Sequence, residues 1–169
     1  MATETDIDAV LRAADRVRGP SHLEFPDGFD HRRAVARVQA LTERLRADFG
    51  RTCVLDTGVQ DASFHATVVV PAEATAAGKQ ITIRLSNHGD LAVVAAEQPG
   101  CYVDLDEAEE AGALASADRR TVETAVASLG YVLIPEPALH RPYDGVTSLG
   151  AYTGPHGEPT WWIRFFDYL

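Results

Sequence analysis

Only two cysteines, Cys53 and Cys101, occur in this 169-residue chain. Their separation matches neither a zinc knuckle nor a redox pair, which leaves two buried thiols as the expectation. No apolar run approaches the roughly 20 residues needed to span a bilayer. The acidic start, Met1-Ala2-Thr3-Glu4-Thr5-Asp6, has neither the basic beginning nor the apolar middle of a signal peptide, so the chain is expected in the cytoplasm and off the membrane. Basic charge is scarce too: 15 Lys and Arg face 25 Asp and Glu, for a formal net charge of −10. A domain of that sign repels phosphate backbones, which argues against direct nucleic-acid binding.

Catalytic signatures are missing in turn. Gly78-Lys79 is followed by Gln80, and Glu73 stands where a phosphate-cradling loop would carry its first glycine. No G-x-G-x-x-G supports a dinucleotide fold, and none of the six serines sits in a nucleophile elbow. The six histidines, His22, His31, His65, His88, His140 and His156, never fall in H-x-H or i, i+4 pairs. Asp104-Leu105-Asp106 opens like a calcium loop, but Glu109 replaces the glycine at its sixth position and Ala115 the glutamate at its twelfth. No catalytic residue, cofactor or metal is therefore assigned, although a zinc site assembled from distant histidines stays open.

What is present suits one globular domain over residues 1–169: 46% of residues are hydrophobic and 24% charged, at a length able to bury one substantial core. The segment 1–50 reads as helical. Ile7, Val10, Leu11, Ala14 and Val17 share one face, with Thr5 as N-cap and Gly19-Pro20 as stop; Val35, Val38, Leu41, Leu45 and Phe49 recur at three or four from about Asp30, ending at Gly50. Across 51–134 the period first becomes 2, giving strands over Thr52–Leu55, Ala62–Val70, Gln80–Ser86 and Leu91–Ala96, with turns at Asp56-Thr57-Gly58 and Asn87-His88-Gly89-Asp90. Helices follow over Asp106–Leu114 and over Asp118–Leu129, the latter with Asp118 as N-cap, then a short strand over Tyr131–Ile134. In 135–169, residues 135–160 hold five of the nine prolines and form a long ordered loop, and Thr160–Leu169 closes the chain as a strand. The order α-α-β-β-β-β-α-α-β-loop-β predicts an α+β fold: a mainly antiparallel sheet of five to six strands with helices packed on one face, a single layer of each.

Two features suggest binding. Residues 101–130 carry seven acids (Asp104, Asp106, Glu107, Glu109, Glu110, Asp118, Glu123) against Arg119 and Arg120, a field that attracts a cationic partner if it is more than a solvated surface. Residues 131–169 hold eight of the thirteen aromatics. There, His140-Arg141-Pro142-Tyr143-Asp144-Gly145 reads either as a recognition loop or as a self-satisfied anchor in which Arg141 pairs with Asp144. Trp161-Trp162-Ile163-Arg164-Phe165-Phe166 must bury at least one face, and if Trp162 and Arg164 are outward they make a surface of the kind enriched at binding hot spots.

Three stretches, Ile83-Arg84-Leu85-Ser86-Asn87-His88-Gly89, Leu129-Gly130-Tyr131-Val132-Leu133-Ile134-Pro135, and Tyr143-Asp144-Gly145 together with Thr160 to Leu169, resemble small bacterial proteins found among the immunity proteins of polymorphic toxin systems. The resemblance spans about residues 50–169. It implies a stoichiometric inhibitor of a toxin, often a basic nuclease, and transfers no functional residue. The expectation is a non-enzymatic, toxin-neutralising protein, monomer or homodimer, that meets a basic protein partner through Glu107, Glu109, Glu110, Arg141, Tyr143, Asp144, Trp161, Trp162 and Arg164. The alternative is a small-molecule binder or enzyme in which His140, Arg141, Tyr143, Asp144 and Arg164 converge on a cavity under the 135–160 loop. A third reading is self-association through an uncovered edge at the terminal strand.

Overall fold

A computed structural model describes residues 4–16, 23–56, 66–149 and 157–167. Five strands form one sheet in the order β1 (Val54–Asp56), β2 (Ala66–Val70), β3 (Ile81–Leu85), β4 (Leu91–Ala96) and β5 (Val132–Leu133). The first four are antiparallel neighbours, and β5 runs parallel to β4. That parallel pair requires a crossover, which α3 (Leu105–Glu110) and α4 (Ser116–Ser128) supply between the two strands. The α+β class and the mainly antiparallel sheet are as the sequence pattern predicts.

The sheet is sandwiched, however, rather than covered on one face. Alternate residues of a strand point to opposite sides. Ala66, Val68 and Val70 of β2, Ile81, Ile83 and Leu85 of β3, and Ala92, Val94 and Ala96 of β4 form one core with Val38, Leu41 and Leu45 of α2 (His31–Phe49) and Val122, Ala125 and Val126 of α4. Leu91 and Val93 of β4 face the other way. They form a second core with Ile7, Leu11 and Ala14 of α1 (Glu4–Asp15), Leu139 of α5 (Glu136–Leu139), and Trp161, Phe165 and Phe166 of α6 (Trp161–Phe166). All six residues of β4 are buried, as an uninterrupted apolar strand demands.

Helix α2 follows its sequence signals. The Asp30 carboxylate accepts from the Arg33 amide at 3.0 Å, and Gly50 takes the left-handed conformation, φ 64°, that stops the helix. Helix α4 starts two residues before Asp118, so Asp118 is not its N-cap; its carboxylate instead accepts from the Ala76 amide at 2.7 Å and ties the 72–76 turn to the helix. Val17, Gly19-Pro20, Thr57-Gly58 and Ala62–His65 lie outside the described residues. Of the two thiols, Cys53 is buried and Cys101 exposed, which corrects the expectation of two buried ones.

The terminal segment is a helix, not a strand. Thr160 caps α6, its hydroxyl accepting from the Ile163 amide at 3.3 Å. Winding places Trp161 against Phe165 (ring centroids 5.7 Å apart) and Trp162 against Phe166 (5.3 Å), both i, i+4 stacks. The expected edge at Thr160–Leu169 is therefore absent from the described residues, and self-association through it has no basis. The described residues 135–149 and 157–160 are likewise less irregular than expected: α5 lies among them, and Pro142 bridges to Thr160.

The β3–β4 turn shows why one glycine matters. Gly89 sits at φ 59°, and a Cβ built there stands 2.6 Å from the Ala14 Cβ of α1. Left-handed strain and overpacking act together, so Gly89→Ala is expected to destabilise the fold by roughly 2–3 kcal/mol. A chemical-denaturation midpoint equal to that of the parent protein would refute this seating of α1 on the turn.

Candidate partner-binding surface

Asp15, unremarked in the sequence, organises the second core. It ends α1 four residues after Leu11, on the same apolar stripe, and is 1% exposed. Its Oδ1 accepts from Arg164 Nε at 2.7 Å and the Thr147 hydroxyl at 2.8 Å; its Oδ2 accepts from the Tyr143 hydroxyl and the Val146 amide, both at 2.7 Å. The Tyr143 oxygen in turn accepts from the Thr147 amide at 2.7 Å. Burial pushes the Asp15 carboxyl up, but the bonds from Tyr143, Arg164, Val146 and Thr147 outweigh it and hold the group below its ordinary value. Burial first, and the neighbouring carboxylate second, push the Tyr143 phenol up. A Cβ at Gly145 would lie 2.3 Å from Asp15 Oδ2, so only glycine lets the loop pass so close.

Two of the expected contact residues are thus committed to the interior, and a third is anchored by its hydroxyl. Trp161 and Arg164 are each 1% exposed, and the Tyr143 hydroxyl is held by Asp15 and Thr147. His88, also 1% exposed, places Nε2 3.5 Å from Arg164 Nη1 and packs its ring on Phe165. Arg141 and Asp144 do not pair with each other. Arg12 Nη2 binds Asp144 at 2.7 Å, Arg12 Nε binds Asp8 at 2.8 Å, and Arg141 Nη2 reaches the same Asp8 at 3.2 Å, making a surface chain that fastens α1 to the loop.

Much of the acidic segment is structural as well. Arg119 gathers Asp106 (2.6 Å), Glu123 (3.0 Å) and Glu109 (3.5 Å), and Asp104 caps α3 by accepting from the Glu107 amide. Glu107 accepts from the Val103 amide while staying exposed, and Glu110 is exposed at the end of α3. Internal pairing leaves the local sum unchanged, so the segment still contributes five excess negative charges out of ten.

An open groove of about 580 Å³ brings several of these residues together. Tyr102, Val103 and Glu107 line it together with Glu136, Pro137, His140 and Arg141. Glu136 is 7% exposed and its Oε1 lies 3.1 Å from His140 Nε2. His140 stacks on Trp162 at 5.7 Å, and the Arg84 guanidinium covers the same indole at 5.6 Å. Val103 is 66% exposed. The groove therefore joins Glu107 to Arg141 and, through His140, to Trp162, whereas Tyr143, Asp144, Trp161 and Arg164 stand apart from it.

No family model, curated protein or solved structure matches this chain. Chemistry within the molecule is the remaining guide. Among the described residues no three His, Cys, Asp or Glu side chains cluster in a way that could hold a metal ion, and no helix is long and apolar enough to cross a membrane. Of His140, Arg141, Tyr143, Asp144 and Arg164, only His140 and Arg141 line this groove, whereas Tyr143 and Arg164 meet at Asp15. The trough carries the exposed Val103, the Glu107 and Glu136 carboxylates and the Arg141 guanidinium in one lining.

Proposed function

We propose that this chain is a non-enzymatic, immunity-like protein that works in the cytoplasm by binding and neutralising a basic protein partner. The groove between the 100–103 segment and α5 receives a basic segment of that partner. What supports the reading is the coincidence of the exposed Val103 and the Glu107 carboxylate in one trough, bordering a segment with five excess negative charges. Charge at the rim accelerates encounter, and the apolar lip and Trp162 supply area once solvent is expelled.

The test uses the product of the neighbouring gene as partner and measures association by surface plasmon resonance over a salt series. Complex formation is expected to weaken with salt, and the double variant Glu107→Lys, Glu110→Lys to slow association by about tenfold with a smaller effect on dissociation. Absence of any salt-dependent complex, or an association rate indifferent to both reversals, would remove the proposal.

A further inference from the structure

A recess of about 20 Å³ shares Tyr102 and Glu136 with the groove and is otherwise lined by the end of β4, Gln98, Asp104 and Leu105. The Glu136 side chain is 6% exposed, yet no Lys or Arg pairs with it. Its Oε1 meets the His140 imidazole at 3.1 Å, and its Oε2 has no hydrogen-bond partner among the described residues. Nor is Oε2 one of their fully enclosed atoms, so it keeps surface that a ligand can touch. A carboxylate placed so deep loses hydration that no cation of this chain replaces. Asp104 brings a second carboxylate: Oδ1 accepts from the Glu107 amide at 2.8 Å as the cap of α3, and Oδ2 is unengaged among the described residues. Arg141, the guanidinium lining the groove, turns Nη2 to Asp8 at 3.2 Å and Nε to the Ala138 carbonyl at 3.1 Å. The Glu97 amide bonds the Gln80 carbonyl, so by antiparallel alternation the Val94 and Ala96 peptide groups turn away from β3. Strand β5 pairs with Leu91 and Ala92 and ends at Leu133, which leaves those two peptide groups without a strand on the side of the recess.

Charge and size together select the occupant. Two carboxylates, each with one oxygen to spare, call for a cation. A space of about 20 Å³ holds a single water-sized group. An ammonium has that size; a guanidinium, with three nitrogens in one plane, exceeds it, and its two-pronged pairing needs both oxygens of one carboxylate. We infer that the recess receives the side chain of a lysine from the basic partner. Its stem crosses the groove beside Val103 and Pro137, and its ammonium donates to Glu136 Oε2, Asp104 Oδ2 and a peptide carbonyl at the end of β4. The inference rests on the basic-partner reading and narrows it: the groove supplies area, and the recess prefers lysine to arginine.

Titration of the isotope-labelled full chain with end-blocked peptides carrying one central basic residue, followed by NMR, tests this. The lysine peptide is expected to shift the amide signals of Gln98, Tyr102 and Asp104. Three further peptides, with arginine, Nε-trimethyl-lysine or Nε-acetyl-lysine at the centre, alter size or remove the charge and are expected to bind at least about tenfold more weakly. Glu136→Gln and Asp104→Asn keep side-chain shape, the asparagine still able to cap α3, and each is expected to weaken the lysine peptide by about threefold to tenfold. No shift at those residues with about 50 mM lysine peptide overturns the inference. So does equal binding of the arginine or trimethyl-lysine peptide, or a lysine affinity that neither substitution lowers. A salt-dependent complex with the neighbouring gene's product whose rates ignore Glu136→Gln sinks the lysine recess and leaves the basic-partner reading standing; a lysine peptide seated at Glu136 without any such complex does the reverse.

Discussion

Asp15→Ala is expected to lower the free energy of unfolding by about 3–5 kcal/mol, the range for removing one partner of a buried ion pair. In a domain of this size that lowers the melting temperature by on the order of 10 °C. The reason is what stays behind. Arg164, with a side chain 0% exposed, keeps its charge and loses the carboxylate 2.7 Å away, and the Tyr143 hydroxyl, the Val146 amide and the Thr147 hydroxyl each lose an acceptor. The double variant Asp15→Ala, Arg164→Met should recover part of the loss, because an apolar replacement for both partners removes the uncompensated charge. Melting curves of the three proteins decide the matter; a single variant as stable as the parent would show that the pair contributes nothing.

The same carboxylate makes stability depend on pH with a definite sign. Its native value lies below the ordinary value of an aspartate, so the unfolded chain binds a proton more readily than the folded one. The contribution is present in full above about pH 4–5 and is lost as pH falls through the native value. Acid unfolding of the parent protein should accordingly steepen below pH 4, whereas Asp15→Ala, having no carboxyl there, should show a shallower decline. Equal slopes in urea-midpoint measurements over that range would contradict the assignment.

How far the sequence revealed these features depends on how many solutions each pattern allowed. Strands β2 and β3 were legible because Val68, Val70, Ile81, Ile83 and Leu85 recur at every second position, between polar residues in β3 and around the less buried Val69 in β2, a period that no helix shares. Helix α2 was legible because its 3.6-residue stripe ends in a left-handed glycine. Trp161 to Phe166 was misread since five of six positions are apolar, and such a run fits period 2 and period 3.6 equally; Thr160 three residues before Ile163, a capping spacing, was the available cue. The second layer was also signalled. Leu91 to Ala96 has no polar residue at any position and so requires cover on both faces, a point obscured by reading it only as the return arm of a hairpin.

At the candidate surface the limits were different in kind. Local sequence suggested that Arg141 would pair with Asp144, three residues away, but both take partners on α1 more than 130 residues distant. Nothing in the spacing of residues encodes that choice. It follows from α1 docking beside α6, which in turn follows from the second core. Asp15 was nearer to legible: a carboxylate four residues after Leu11 on an apolar stripe is out of place unless a cation meets it inside, and Arg164, embedded among aromatics, was the natural candidate.

The last expectation separates scaffold from surface within the tryptophan pair. Trp161→Ala should destabilise the protein by about 3–5 kcal/mol, the cost of emptying a fully buried aromatic site. Trp161 packs edge-on to Tyr143 at 4.7 Å and stacks on Phe165 at 5.7 Å while 1% exposed, so its removal opens a void at the junction of α1, α6 and the 141–147 loop. Trp162 is only half-buried, between His140 and Phe166, and its replacement by alanine should cost about 1–2 kcal/mol, because part of its surface is already in water. Binding should sort the other way: Trp162→Ala weakens a partner held at the groove, whereas Trp161→Ala acts on affinity only through the folded fraction, an effect that disappears when measured well below its melting temperature. If Trp161→Ala melts with the parent protein, or if Trp162→Ala proves the more destabilising of the two, the burial of Trp161 at this junction is wrong.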